Sequence, residues 1–351
     1  MTTKETPIPE ATPTPASTFR RGVGGMVGNT PLVRLERLSE YTGCNILGKA
    51  EFLNPGGSIK DRFARAFILD AEARGLLKPG GTVVEGSAGN TGIGLATIAN
   101  ARGYRTIITI PDDQSPEKID YLRMLGADVR VVPVVPFSNQ KHFCHQAKEI
   151  AASLPNAVWA DQFNNLTNRR AHFETTGPEI WAQTNGQVDA LVAAAGTGGT
   201  LSGTGLYLKQ QNPNVQVVLA DPTGSALYQY VKTGTLAADG DSMAEGIGIG
   251  RLVANFEGAP VDDALQIDDR ALVATAYHLL HEEGLLLGTS AAVNVWAAAR
   301  TALKLGPGHT IVTFLCDGGA RYRSRLYTPS WLAAQGLEPV TDGFEFLHRT
   351  I

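Results

Sequence analysis

Hydrophobic positions in this chain follow two spacings that take turns. Short runs rich in Val, Ile and Leu predict strands at Asn45–Glu51, Thr82–Glu85, Thr106–Ile110, Asp128–Val132, Ala190–Ala194, Gln216–Asp221 and Thr310–Cys316. Between them the pattern predicts helices at Ile59–Arg74, Gly92–Arg102, Glu117–Leu125, Lys141–Ser153, Glu174–Gln183, Gly199–Gln211, Asp268–Glu283 and Ala291–Leu305. Strands alternating with helices indicate α/β layers with mostly parallel sheets. No solenoid-length repeat occurs, but each half holds a strand, a Gly/Thr-rich loop and a helix, so two similar sheets are expected. The polar, Asn-rich stretch Phe163–Asn168 is the expected crossing between domains.

Length and composition narrow this picture. The 351 residues suggest two domains, and 43% hydrophobic against 18% charged residues excludes global disorder. A net charge of −4 with no Lys/Arg run gives nucleic acid nothing to bind, and a small-molecule partner is favoured. No apolar run reaches the length of a membrane span, and no signal-peptide core opens the chain. Cys44, Cys144 and Cys316 are odd in number and lack C-x-x-C spacing, which argues against disulfides and structural zinc and for a cytoplasmic protein. Met1 to Ser17 is Thr/Pro-rich and reads as a disordered tail. Glycine is in excess, 39 residues against the roughly 7% usual in proteins, without a collagen period.

Two glycine clusters sit where chemistry would. Ser87-Ala88-Gly89-Asn90-Thr91 follows a strand and opens a helix, and Gly196-Thr197-Gly198-Gly199-Thr200 does the same. Small residues leave backbone N–H groups unobstructed at a helix N-terminus, which suits a phosphate or carboxylate. Glycines also serve tight turns, but two such loops in corresponding positions favour a ligand. No G-x-x-x-x-G-K-[ST] string occurs, and neither loop fits G-x-G-x-x-G with a following acid, so nucleotides are disfavoured. Lys60 lies where the loop Asn54-Pro55-Gly56-Gly57-Ser58 meets a helix start, a setting that lowers a lysine pKa and favours Schiff-base chemistry. Lysine with a phosphate loop suggests pyridoxal 5′-phosphate.

These residues bring the chain to a known family. It resembles fold type II pyridoxal-phosphate enzymes, in the cysteine synthase (O-acetylserine sulfhydrylase) and cystathionine β-synthase branch, across roughly Gly25 to Tyr327. The resemblance is carried by Val27-Gly28-Asn29-Thr30-Pro31-Leu32, Asn54 through Arg62, Gln162-Phe163-Asn164-Asn165, Thr175 through Trp181 and Glu245-Gly246-Ile247-Gly248. It implies two three-layer αβα domains of tryptophan synthase β-like fold. Residues 56–165 would form a smaller, mobile domain, and 21–55 plus 166–335 a larger phosphate-binding one, between tails at 1–20 and 336–351. Lys60 would form the internal aldimine, Asn90 would bond the 3′-hydroxyl, Gly196, Thr197, Gly198, Gly199 and Thr200 would hold the phosphate, and Ser290 would face the pyridine nitrogen. Ser87, Ala88, Gly89, Asn90 and Thr91 with Gln162 would grip the substrate carboxylate, with Gly246 at the mouth. A homodimer acting on an amino acid with sulfide or a thiol is implied.

The implied reaction is β-elimination or β-replacement through α-aminoacrylate, with cysteine synthase first and L-cysteine desulfhydrase second. Cystathionine formation and an idle scaffold are further readings. Three departures bear on the choice. Ala88 stands where the family's loop carries Ser, Gly288-Thr289-Ser290-Ala291-Ala292 replaces Gly-Ile-Ser-Ser-Gly, and Leu315-Cys316-Asp317 replaces a segment with Pro and Ser. Asp317 is read as a turn cap and Cys316 as an inert core thiol. The His142/His145 and His278/His281 pairs are read as ordinary surface or packing residues, and no metal is assigned. Phe344, Phe346 and Leu347 are expected against a neighbouring subunit.

Overall fold

A computed structural model describes Arg20, residues 22–339 and residues 343–348. All but Arg20 of the expected N-terminal tail lies outside the described residues. In chain order the strands are β1 Leu32–Arg34, β2 Asn45–Lys49, β3 Thr82–Gly86, β4 Arg105–Pro111, β5 Asp128–Val132, β6 Ala157–Trp159, β7 Ala190–Ala194, β8 Gln216–Pro222, β9 Asp263–Ile267 and β10 Thr310–Phe314. They build a six-stranded sheet in the order β1-β2-β10-β7-β8-β9 and a four-stranded sheet in the order β5-β4-β3-β6. Every pairing is parallel except the β1–β2 edge.

Burial explains which strands the hydrophobic pattern reveals. β3, β7 and β8 are central and covered on both faces, so they read as apolar runs. β5 is an edge strand whose Asp128 and Arg130 face water, which discourages pairing with another chain. β1 and β6 have three residues each, too few to show a period, and β9 is masked by the polar Asp263 and Gln266. Short helices at Glu36–Thr42, Thr167–Ala171, Leu227–Thr233 and Pro329–Ala334 escape the pattern for the same reason of length.

Helix Thr289–Leu305 is Ala-rich and almost wholly buried, because small side chains let it lie close on the large sheet beside helix Asp269–His281. Asp268 caps the latter by accepting the Ala271 N–H at 2.8 Å. The expected helix from Glu174 begins instead at Gly177, after a π turn at His172–Thr176 that continues from helix Thr167–Ala171. The Asn-rich stretch Phe163–Asn168 is turn up to Thr167, where the first of these helices begins.

The C-terminal segment corrects another expectation. Phe346 and Leu347 join this chain's own core, with Phe346 on His278 (ring centroids 5.3 Å apart) and Phe344 stacked on Tyr41 at 4.0 Å. The Trp296 indole N–H donates to the Phe346 carbonyl at 3.2 Å. Apolar side chains of a tail bury themselves wherever an unfilled groove is nearest, and here that groove lies in the same chain.

Candidate active site

The C-terminal ends of β3, β7 and β10 point to one cleft between the two sheets, the usual position of ligands in open parallel α/β sheets. A cavity of about 450 Å³ opens there. Its walls bring together Lys60, Ser87, Ala88, Asn90, Thr91, Gln162, Gly196, Thr197, Gly198, Thr200, Gly246 and Ser290. Gly89 and Gly199 do not line it; they shape the loops from behind. Gly89 holds φ at 124°, and a Cβ there would meet the Lys118 side chain at 2.7 Å. A Cβ on Gly199 would meet the Asn168 amide oxygen at 2.4 Å.

Lys60 is placed by its neighbours on the first turn of helix Lys60–Ala73. Two residues on, Arg62 pairs with buried Glu51 (2.7 Å) and with Glu179 (2.8 Å), which also pairs with Lys49 at 2.7 Å. Burial pushes the Glu179 carboxyl up, but Arg62 and Lys49 outweigh it and hold the group at about 2. Asp61 turns the other way and accepts the Gly56 N–H, fastening the loop before the lysine. Burial raises the Asp61 carboxyl to about 7. The Lys60 amine itself is held below the ordinary lysine range by burial, against the pull of Cys316 and Asp317.

Neutral partners fix the Gly196–Thr200 loop. Asn168 donates to the Thr197 hydroxyl at 3.0 Å, and Thr200 meets the His172 Nε2 at 3.1 Å. His172 is fully buried in the π turn, and burial with the nearby Arg62 charge lowers it to about 3, so its ring is uncharged. Gly198 is left-handed at φ 80°, and a Cβ on Gly196 would lie 2.3 Å from the Gly246 carbonyl.

The Ser87–Thr91 loop is tied to itself. The Ser87 hydroxyl accepts the N–H groups of Gly89 and Gly92, at 3.0 and 3.3 Å. Thr91 donates to the Gln162 amide oxygen at 2.6 Å, and Gln162 donates to the Gly86 carbonyl at 2.9 Å. Asn90 donates to Asp317 at 2.7 Å and accepts from Arg321.

Asp317 is therefore no turn cap. Its buried carboxylate takes the Asn90 amide and the Tyr322 hydroxyl, each at 2.7 Å on one oxygen, while the other oxygen has no partner. Cys316 packs on the core of the large sheet as expected but also lines the cavity with Ser290, and burial pushes it up to about 12, leaving it protonated. Sequence reasoning missed Asn294, one turn beyond Ser290, which receives the Ala194 N–H at 2.6 Å and donates to the Phe314 carbonyl at 2.9 Å, pinning the ends of β7 and β10. The spacing of four on a helix was the available signal. It also missed Lys118 and Glu245, a buried pair at 2.6 Å across the cleft, with Ser115 and Arg325 on the same carboxylate. Phe137, His142, Phe143, Phe163 and Arg251 complete the outer wall. His278, by contrast, is a packing residue, set between Phe344 and Phe346.

Comparison with known proteins agrees with this arrangement. Residues 23–317 match the family of pyridoxal-phosphate dependent enzymes. Cysteine synthase 1 of Neurospora crassa is 54% identical over 92% of this chain and 87% of its own, and the cysteine synthase of Dictyostelium discoideum is 49% identical over 90% and 86%. The crystal structure of an O-acetylserine dependent cystathionine β-synthase from Helicobacter pylori superposes with a TM-score of 0.80 at 31% identity, covering 89% of this chain and all of that one. A lysine, two glycine loops and a helix-borne serine around one cavity, in a match that spans both sheets, mean that this chain belongs to the pyridoxal-phosphate dependent enzymes.

Proposed function

We propose that the protein is a cysteine synthase, joining sulfide to the three-carbon unit of O-acetyl-L-serine and releasing acetate. The observation that carries the reading is the position of Lys60, which has no carboxylate partner among the described residues, on one cavity wall between the two glycine loops. The named activity of relatives 54% identical supports it.

The donor set fits the cofactor. Loop 196–200 offers N–H groups at the start of helix Gly199–Gln211, and at Gly196 the Gly246 carbonyl leaves no room for a side chain. Asn90 keeps one amide hydrogen and one lone pair free for the ring hydroxyl after bonding Asp317 and Arg321. Ser290 would meet the ring nitrogen. Bound pyridoxal phosphate supplies an electron sink for the pair left when an amino acid's α-hydrogen is removed.

The chain's own groups do the rest. Lys60 Nζ would hold the cofactor at rest; displaced by the substrate amine, its lowered pKa favours the neutral base that takes the α-proton. A neutral serine hydroxyl there would leave the ring nitrogen less protonated than a carboxylate would, and the weaker electron sink would favour expulsion of a β-substituent over transamination. Backbone N–H groups of loop 87–91, with Thr91 and Gln162, would orient the substrate carboxylate. Cytoplasmic residence, supported by three free cysteines, and a homodimer belong to the same reading, and cell fractionation and light scattering check them in turn.

The test compares kcat/KM for O-acetyl-L-serine plus sulfide with that for L-cysteine alone. Cysteine formation should dominate. Pyruvate and sulfide released from cysteine at the higher efficiency would make the protein a desulfhydrase instead.

A further inference from the structure

Asn90 lines the cavity from the first turn of helix Asn90–Ala101, and both ends of its amide are taken from across the cleft by the segment that follows β10. The amide nitrogen donates to Asp317 Oδ2 at 2.7 Å, and the amide oxygen accepts from Arg321 at 2.5 Å. An asparagine amide in water turns end for end freely. Here its direction is dictated by chemistry: a carboxylate offers no donor and a guanidinium no acceptor, so the nitrogen must face Asp317 and the oxygen Arg321.

Each of the two charged groups is itself held in place. Tyr322 donates to the same Asp317 oxygen at 2.7 Å, and the other oxygen lies against Gly288, where a Cβ would come within 2.2 Å of it. Gly288 precedes helix Thr289–Leu305, whose N-terminus favours a negative charge beside it. Arg321 is buried, lies over the Tyr121 ring at 5.3 Å from its centroid, and also donates to the Gly56 carbonyl. Gly57, at φ 79°, makes room for it, since a Cβ there would sit 2.6 Å from the guanidinium. One guanidinium thus ties Asn90 to the loop that carries Lys60. Neither Asp317 nor Arg321 lines the cavity, so both act through Asn90.

We propose that Asp317 and Arg321 are positioning residues that clamp the Asn90 amide from both ends, so that its remaining N–H is presented in one fixed direction to the ring hydroxyl of pyridoxal phosphate. The inference rests on the placement of that hydroxyl at Asn90 in the reading above. Direction matters because an amide N–H holds the ring oxygen whether it is neutral or ionised, whereas an amide oxygen accepts only from the neutral hydroxyl. The clamp gives a use to one of the chain's departures from the family strings, Leu315-Cys316-Asp317.

The experiment titrates the full chain, freed of cofactor, with pyridoxal 5′-phosphate and with its 3-deoxy analogue, which lacks only the ring hydroxyl, and follows protein fluorescence. The ratio of the two dissociation constants reads what the hydroxyl contributes, and a general loss of stability moves both constants together. That preference should fall about tenfold in Asp317→Ala and in Arg321→Met, the order of one hydrogen bond to a charged partner. Asp317→Asn keeps an oxygen where Asn90 donates and should restore most of it. Tyr322→Phe removes the neighbouring bond on the same carboxylate but leaves Asn90 held, and should change the preference by less than about twofold. Asn90→Ala sets the floor. A native preference in both Asp317→Ala and Arg321→Met, with Asn90→Ala lowered, overturns the proposal. So does a loss in Tyr322→Phe as large as that in Asp317→Ala, which would mark a merely structural effect. A native preference in Asn90→Ala as well overturns the placement of the ring hydroxyl itself, and the proposal with it.

Discussion

The two glycine loops look alike in sequence and are held by opposite means. Loop 196–200 is backed by fixed matter: the Gly246 carbonyl, the Phe256 backbone and the neutral side chains of Asn168 and His172. Loop 87–91 is backed by side chains that bond one another and by charged groups reaching across the cleft, namely Lys118 to Glu245 and Asp317 to Asn90. A site for a permanent dianion needs rigid donors and no competing acid, whereas a loop that greets a transient substrate can rest on partners that rearrange. The difference supports the proposed roles of the loops more than their glycines do.

Five substitutions put pressure on that contrast. Lys60→Ala removes the group both loops serve, and should cost at least about 10³-fold in turnover together with the visible absorbance of the lysine-bound cofactor. Persistence of both would sink the mechanism. Glu245→Gln leaves Lys118 buried opposite a neutral amide, and loss of a buried partner costs about 3–5 kcal/mol at the upper end. Thermal unfolding should show it, with cofactor affinity less affected than the KM for O-acetylserine. Gly196→Ala drives a Cβ against the Gly246 carbonyl, a backbone atom that cannot swing aside, and should cost about 1–3 kcal/mol with loss of cofactor affinity. Gly89→Ala sets a Cβ against the buried Lys118 stem at φ 124°, so it strains the loop 87–91 and should raise the substrate KM while cofactor affinity holds. Equal effects of the two alanines on cofactor binding would erase the contrast. Ala88→Ser is the mildest change: a hydroxyl at the cavity wall should lower the O-acetylserine KM by a factor worth about 1 kcal/mol, read from initial rates.

Much of this was legible before any coordinates. The apolar runs of β3, β7 and β8 are strong because those strands are covered on both faces, and Lys60, Ser290 and the loops follow from motif strings. The unreadable parts share one property, that their meaning depends on residues far away in the chain. Asp317 reads as a cap until Asn90, 227 positions earlier, is seen to donate to it. Lys118 gives no signal within the expected helix Glu117–Leu125 until Glu245 is found against it, 127 positions on. Phe346 reads as a sticky tail until Trp296 and His278 surround it.

The sequence by itself determined the layered α/β architecture, the lysine and the two small-residue loops, because periodicity and local turn chemistry act over a few residues. Tertiary structure alone decided that Cys316 faces the cavity, that Gly196 and Gly199 are required by protein neighbours, and that Lys118 and Glu245 meet across the cleft. The reason is physical: burial, desolvation and charge pairing depend on what surrounds a side chain, and only the closing of one sheet against the other sets those surroundings.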